Sequence, residues 1–210
     1  MIKHLKFFSA IMLSIFLLAS CGSKTTNNKE VENTSEEKET ITSTAKVQSI
    51  NLEESNVHWK GEMLGMYSHE GNIDLSKAEL LMADGKIAGG SFEVDMTTMV
   101  PTDDNFNPAE GKTADKLVGH LSSPDFFDVE NHATASFKIN SVDGSTATGT
   151  LTVRGKSGEE TVENITVNED GSVTGELKFN RKNYDVAFDH PMKEMVLSNT
   201  INLKITLVTN

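Results

Sequence analysis

The side chains able to do chemistry in this 210-residue chain are few and far apart. A single cysteine, Cys21, excludes an internal disulfide and a cysteine-rich zinc site. His58, His69, His120, His132 and His190 fall on separate segments without close metal-ligand spacing, so no metal site is expected. There is no Gly-x-Ser-x-Gly elbow and no phosphate-binding glycine loop. The acid pairs Asp103-Asp104 and Glu159-Glu160 are adjacent in polar stretches, where neither the burial nor the separation of a catalytic dyad is expected. No residue is assigned a catalytic role, no enzyme activity is expected, and no cofactor is called for. Arg154 and Arg181 are candidates to meet a phosphate or carboxylate head group through bidentate guanidinium contacts. The competing use is structural, for Arg181 an ion pair with Asp185 or another carboxylate. With 31 acidic against 19 basic side chains the net charge is -12, which repels phosphate backbones and removes nucleic acid as a partner.

The chemistry of Cys21 is set by what precedes it. Lys3 and Lys6 form a basic start, and Phe7 to Leu18 is an apolar run too short for a permanent membrane span. Leu18-Ala19-Ser20-Cys21-Gly22 resembles the bacterial lipobox, where cleavage before the cysteine accompanies acylation of its thiol. Residues 1–20 are therefore read as a lipoprotein signal peptide and Cys21 as the lipidation site. Multiple acyl chains on one residue anchor stably where one chain binds only marginally. Residues 21–45 are rich in Ser, Thr, Asn, Glu and Lys, with Val31 and Ile41 the large apolar residues from Gly22 to Thr44, and are expected to form a disordered tether. Random-coil scaling gives it a reach of roughly 25 to 30 Å. The expected location is the bacterial cell envelope, anchored at the periplasmic face. Gly22 and Ser23 lack the aspartate that retains some lipoproteins at the inner membrane, which leans toward the outer one.

Residues 46–210 carry the elements that would position any site. Phe92, Val94 and Met96 alternate with Glu93 and Asp95, and Ala133, Ala135, Phe137 and Ile139 with Thr134, Ser136 and Lys138. Leu151 and Val153, then Val173, Gly175, Leu177 and Phe179, continue the period of two. Met195 to Val208 is expected to be the longest strand, with Ile201, Leu203, Ile205 and Leu207 on one face. Asp84-Gly85, Asp143-Gly144 and Asp170-Gly171 separate such runs and predict tight hairpins. Ala109 to Leu121 breaks the pattern: Ala114, Leu117, Val118 and Leu121 share a helical stripe, predicting a short helix that ends near Pro124. Strands with one apolar face admit a filled sandwich or a closed barrel with room inside, and periodicity does not separate them.

From about Val47 onward the chain resembles the YceI-like family of lipid- and polyisoprenoid-binding proteins. The matching pieces are Val57-His58-Trp59-Lys60-Gly61, His69-Glu70-Gly71, and Gly90 through Thr98. The most specific is Leu117-Val118-Gly119-His120-Leu121-Ser122-Ser123-Pro124-Asp125-Phe126-Phe127-Asp128-Val129, followed by Ala133 through Phe137. Gly149 through Lys156 and Arg181 through Val186 complete the order. The chain departs from the family at Ser157-Gly158-Glu159-Glu160-Thr161-Val162-Glu163, where relatives continue with a proline and an apolar strand. The resemblance implies an all-β, lipocalin-like extended antiparallel β-barrel of about eight strands with a short helix near 109–122, a lumen holding a long isoprenoid or other amphiphilic lipid, often a homodimer, and no catalysis.

A hydrocarbon chain offers no hydrogen bonds and must be held by area and shape. An isoprene-sized unit burying on the order of 100 Å² gains a gross 2 to 3 kcal/mol at about 25 cal/mol per Å², most of it offset by ordering of the ligand. Lumen and mouth candidates are Trp59, Phe92, Val94, Met96, Leu117, Leu121, Phe126, Phe127, Phe137, Leu151, Val153, Leu177 and Phe179. Each could equally be packed core without ligand contact. Phe126-Phe127 lies between helix and strand and reads either as a portal or as a plug that holds the helix down. The remaining reading of the whole domain is a ligand-free structural or protein-interaction module displayed at the membrane.

Overall fold

The computed structural model describes residues 45–189 and 196–210. The signal segment, Cys21, the tether up to Thr44, His190 and Met195 lie outside the described residues. Ten strands follow in chain order: β1 (Lys46–Gln48), β2 (Ile50–Met63), β3 (Tyr67–Ala83), β4 (Lys86–Asp95), β5 (Val100–Pro101), β6 (Thr134–Asp143), β7 (Thr146–Val153), β8 (Lys156–Val167), β9 (Val173–Asn180) and β10 (Thr200–Thr209). Eight of them close a barrel in the order β2, β10, β9, β8, β7, β6, β4, β3 and back to β2, every neighbouring pair antiparallel. Closure removes the exposed edges that an open sheet would present. The short strands β1 and β5 extend the pairing of β3. The longest strand is β3, at 17 residues, rather than the C-terminal one: β10 starts at Thr200, and upstream of it Leu197 makes only an isolated bridge to Met63.

Local chemistry explains the closure. Asp84 and Gly85 both have positive φ (50° and 73°), as a type I′ hairpin demands, and the turn joins β3 to β4. Arg154 and Gly155 do the same between β7 and β8 (49° and 71°), a turn that the residue types did not announce. Inward positions along β7 and β9 are alternately buried, so the sequence period of two becomes one apolar wall. The acidic stretch after Lys156 is a regular part of β8, paired with β7 from Lys156 to Val162. Its pairing to β9 is interrupted after Glu163, where Asn164 takes φ 54°.

The two barrel ends differ. Three tight turns, at Asp84-Gly85, after Asp143 and before Val173, lie at one end, over a cluster that includes Val57, Leu80 and Leu207. The other end carries the long connections from β4 to β6 and from β9 to β10. The first of these holds the helix α1 (Ala114–Ser122), shorter at its start than expected. Pro108–Glu110 forms a separate 3-10 turn that Gly111 ends at φ 70°, and Thr113 then caps α1 by accepting from Lys116 N–H. Met96 likewise leaves the strand: Asp95 caps a 3-10 turn over Met96–Thr98 in which Met96 is buried.

Candidate functional site

The barrel interior contains an apolar cavity of about 140 Å³. Phe92 and Val94 of β4, Phe137 of β6, Leu151 and Val153 of β7, and Leu177 and Phe179 of β9 line it, with Met96 from the 3-10 turn. Ile201, Leu203, Ile205 and Leu207 complete the wall from β10. Glycines shape the space. The Phe137 ring lies over Gly149, where a Cβ would approach its Cε1 to 2.8 Å. A Cβ on Gly175 would come 2.7 Å from the Val162 side chain across the β8–β9 pair.

A second cavity of about 380 Å³ lies between β2, β3 and the long connections. Trp59 and Met63 border it from β2, Leu117, His120 and Leu121 from α1, and Phe126, Phe188 and Leu197 from the loops. Its geometry starts from two glycines on paired strands. Trp59 is opposite Gly71 and His69 is opposite Gly61, so each large ring faces a position without a side chain. Ile73, Phe127 and Ile201 border both cavities, which makes Phe127 the loop residue shared between inner and outer space. Phe126 is buried and Phe127 half-buried, and both reach the outer cavity because the Ser123–Phe127 segment is a turn and not a strand. Phe126 N–H donates to Ser123 O and Phe127 N–H to Leu121 O, which folds the pair under the end of α1.

All thirteen lumen and mouth candidates therefore border one cavity or the other. Met63 and Met99, flexible enough by residue type to follow an irregular chain or to fill a gap in the core, border the outer cavity as well. The sequence did not single out Ile73 or Leu197, which come into place only through the fold, whereas the apolar face of β10 was legible as an inward face.

The polar groups gather at the outer cavity. His69 Nδ1 lies 3.0 Å from Asp103 Oδ1, and its ring stacks on Phe106 at 5.1 Å and meets Tyr67 edge-on at 5.2 Å. Asp103, 7 % exposed, also accepts the backbone N–H groups of Glu70 and Asn105. Burial would raise its carboxyl, but those two N–H donors and His69 outweigh it and hold the group below the usual aspartate value. The Trp59 Nε1–H is buried and has no hydrogen-bond partner among the described residues. His120 packs against Phe126 and Phe188.

Neither head-group candidate borders the two cavities. Arg154 donates to Asp185 O and Pro124 O, tying its hairpin to the loop that carries Phe126 and Phe127. Arg181 is fully buried and donates to Ser198 O (2.9 Å) and Val186 O (2.7 Å). Its carboxylate neighbour is Asp189 at 3.6 Å, whereas Asp185 pairs with Lys156. Burial pushes the Arg181 guanidinium down from its ordinary range, and Asp189 opposes that. Tyr184, also fully buried, donates to Glu160 Oε1 at 2.9 Å and packs against Gly158, filling the gap where β8 leaves β9. Burial and then Glu160 hold the phenol proton far above its ordinary pKa.

The fold is an eight-stranded antiparallel barrel with a largely apolar interior and a helix over one end. The YceI-like domain family matches residues 28–209, and the chain belongs to it. Among solved structures, BcnA of Burkholderia cenocepacia is similar at 18 % identity and TM-score 0.58, over 76 % of this chain and 98 % of that one. A YCEI protein of Campylobacter jejuni gives 17 % and 0.47, over 64 % and 80 %. A polyisoprenoid binding domain of Saccharophagus degradans gives 11 % and 0.46, over 76 % and 95 %. The likeness of fold rests on the first of these. No curated protein matches the chain in sequence.

Proposed function

We propose that this protein is a lipid-anchored envelope protein that binds a long isoprenoid or other amphiphilic lipid chain in its barrel lumen, for transport, storage or sequestration. The observation that carries the reading is the pair of adjoining cavities, one between the inward faces of the barrel strands and one at the barrel mouth, bordered by Phe127, Ile73 and Ile201 in common. An apolar cavity of about 150 Å³ is large enough for a benzene-sized guest and stays dry when empty. The inner cavity, about 140 Å³, thus suits the end of a chain, and the outer one, about 380 Å³, falls in the usual range for small-molecule pockets. Membership of the YceI-like family supports the same reading. Acylation of Cys21 would hold the domain within reach of the membrane that supplies the ligand, and no covalent step is part of the function.

The test is thermal melting and fluorescence titration with a polyprenol and a long-chain fatty acid. Trp59 is the single tryptophan and borders the outer cavity, so its emission reports occupancy. The expected result is saturable one-to-one binding that raises the melting temperature. Neither ligand changing emission or melting would favour the ligand-free interaction module. Fractionation checks the anchor: Cys21→Ser should move the protein from the membrane to the soluble fraction.

A further inference from the structure

We propose that the hairpin tip between β2 and β3 inserts into the surface of a lipid bilayer and sets the outer cavity against it, so that a lipid chain passes from membrane to lumen without crossing water. The proposal rests on the lumen-binding reading and adds the surface from which the ligand is drawn.

The tip reads Met63-Leu64-Gly65-Met66-Tyr67, with the Tyr67 phenol its one polar side chain. Leu64 is 51 % exposed, Met66 58 % and Tyr67 39 %. Val196, 50 % exposed, joins them, because Leu64 N–H donates to Val196 O at 2.8 Å. Hairpin turns in water favour Gly, Asn, Asp and Ser, as at Asp84-Gly85, Asp143-Gly144 and Asp170-Gly171 at the other end of the barrel. Gly65 supplies the positive φ of 74° that the turn needs, and a Cβ there would meet nothing within 4 Å, so the tip projects into open space. Exposed apolar residues gathered in this way mark a surface that something covers.

The cavity says what covers it. Met63, Tyr67 and Leu197 border the outer cavity, and Met63 and Leu197 form a bridge beside the tip. The exposed residues thus continue into the cavity rim. A protein seated on them would close the entrance, whereas a bilayer opens it to the phase in which a lipid ligand is dissolved. The tip is also suited to the head-group region: Met66 N–H already donates to Met63 O at 3.0 Å and Leu64 N–H to Val196 O, so neither is left unpaired on leaving water. The flanking charges of β2, Lys60 and Glu62, lie 3.8 Å apart as a pair. Docking therefore draws on apolar area, and the net charge of -12 disfavours anionic lipid.

The chain that precedes the barrel enters at the opposite end. Lys46 of β1 pairs with Met82, close to the Asp84-Gly85 turn, and β3 runs 17 residues from there to the tip. At about 3.3 Å per residue that is a span of roughly 50 Å. The residues from Cys21 to Thr44, at about 3.3 to 3.6 Å each, extend to at most about 80 Å, so an acylated Cys21 permits the tip to touch the membrane. Their random-coil reach of roughly 25 to 30 Å falls short of the span, so the anchor does not hold the mouth there and the tip must supply that affinity.

The experiment uses the mature protein on phosphatidylcholine vesicles whose acyl chains carry bromine, a quencher of tryptophan. Leu64→Trp places an indole at the tip, Glu169→Trp places one in an exposed turn at the other end, and the parent with Trp59 alone is the baseline. Added emission at position 64 should be quenched about threefold more than at position 169. A second arm follows transfer of a fluorescent isoprenoid alcohol from vesicles. Leu64→Glu combined with Met66→Glu, at two exposed positions that border neither cavity, should slow it about tenfold and leave the affinity for the dispersed probe within about twofold. Equal quenching at the two positions overturns the docking and leaves lumen binding intact. Emission at position 64 that shifts with protein density but not with brominated lipid overturns the bilayer in favour of a second copy of the chain. An unchanged transfer rate in the double variant overturns delivery through the tip. A mature chain without an acyl group overturns the anchor, and the same vesicles added to it then test the tip alone. Failure of the parent to bind the dispersed probe overturns the lumen reading, and the quenching decides the docking separately.

Discussion

The Phe126 and Phe127 rings, consecutive in the chain, meet at 4.9 Å with planes 66° apart, yet only Phe127 borders both cavities. Phe126 packs beneath His120 and Phe188 and fixes the loop, and its neighbour is left as part of the wall between mouth and interior. Phe126 thus has the position of a plug that holds the helix down, and the portal reading of Phe127 is a proposal that uptake kinetics test.

Phe127→Ala should join the two cavities. Because Phe127 is only half-buried, the loss of stability should be about 2 kcal/mol, below the 3 to 5 typical of a fully buried Phe→Ala. Lipid loading should become faster. Stopped-flow uptake of a fluorescent long-chain probe checks it, and Phe126→Ala should cost more stability because that ring is buried.

Gly71→Ala tests how the mouth is built. A Cβ there would run into the Val100 carbonyl oxygen and lie 2.8 Å from both Pro101 Cα and Trp59 Cζ2, so β5 and the indole must both retreat. Overpacking of this kind costs about 1 to 3 kcal/mol. Urea unfolding should show the loss, and Trp59 emission should shift with it. Gly65→Ala, by contrast, meets no neighbour within 4 Å and carries only the strain of its φ of 74°.

Arg181→Met should destabilise by about 3 kcal/mol. It keeps much of the volume but leaves Val186 O and Ser198 O without their buried donor. Urea midpoints measure the loss. The connection between β9 and β10 should become protease-sensitive while ligand preference among lipids of equal length stays unchanged, since Arg181 does not border the two cavities.

The depressed Asp103 carboxyl gives a signed pH dependence. Its folded value lies below the ordinary 3.8, so its stabilising contribution is complete above that value. As the pH falls from about 4 toward the lower folded value, the unfolded chain takes up the proton first and the contribution is lost. Asp103→Asn should cost about 1 to 2 kcal/mol at pH 7. The gap between parent and variant in urea midpoints should narrow at pH 3. A gap independent of pH would remove the ionised carboxylate from the account.

Much of the lumen was legible before the fold was known, because a period of two reports which face of a strand is apolar. Val94, Phe137, Leu151 and Leu177 needed nothing more. Periodicity does not report whether facing side chains touch: Gly61 borders the outer cavity and the Trp59 indole packs over Gly71, two positions whose pairing partners only the register reveals. The arginines misled for a similar reason. Arg154 sits in a left-handed turn position usually filled by Asp or Asn, and Arg181 serves carbonyls 5 and 17 residues further along the chain. The helix was placed correctly, but its start depended on Gly111 and the Thr113 cap rather than on the apolar stripe.

The central claim is that the lumen holds a lipid chain. Its most direct test is native mass spectrometry of the Cys21→Ser chain purified without detergent, followed by organic extraction and identification of what is released. The account predicts one polyprenyl or long-acyl molecule per chain, lost on extraction and regained on adding it back. A bare polypeptide mass that added isoprenoid and fatty ligands leave unchanged would contradict it.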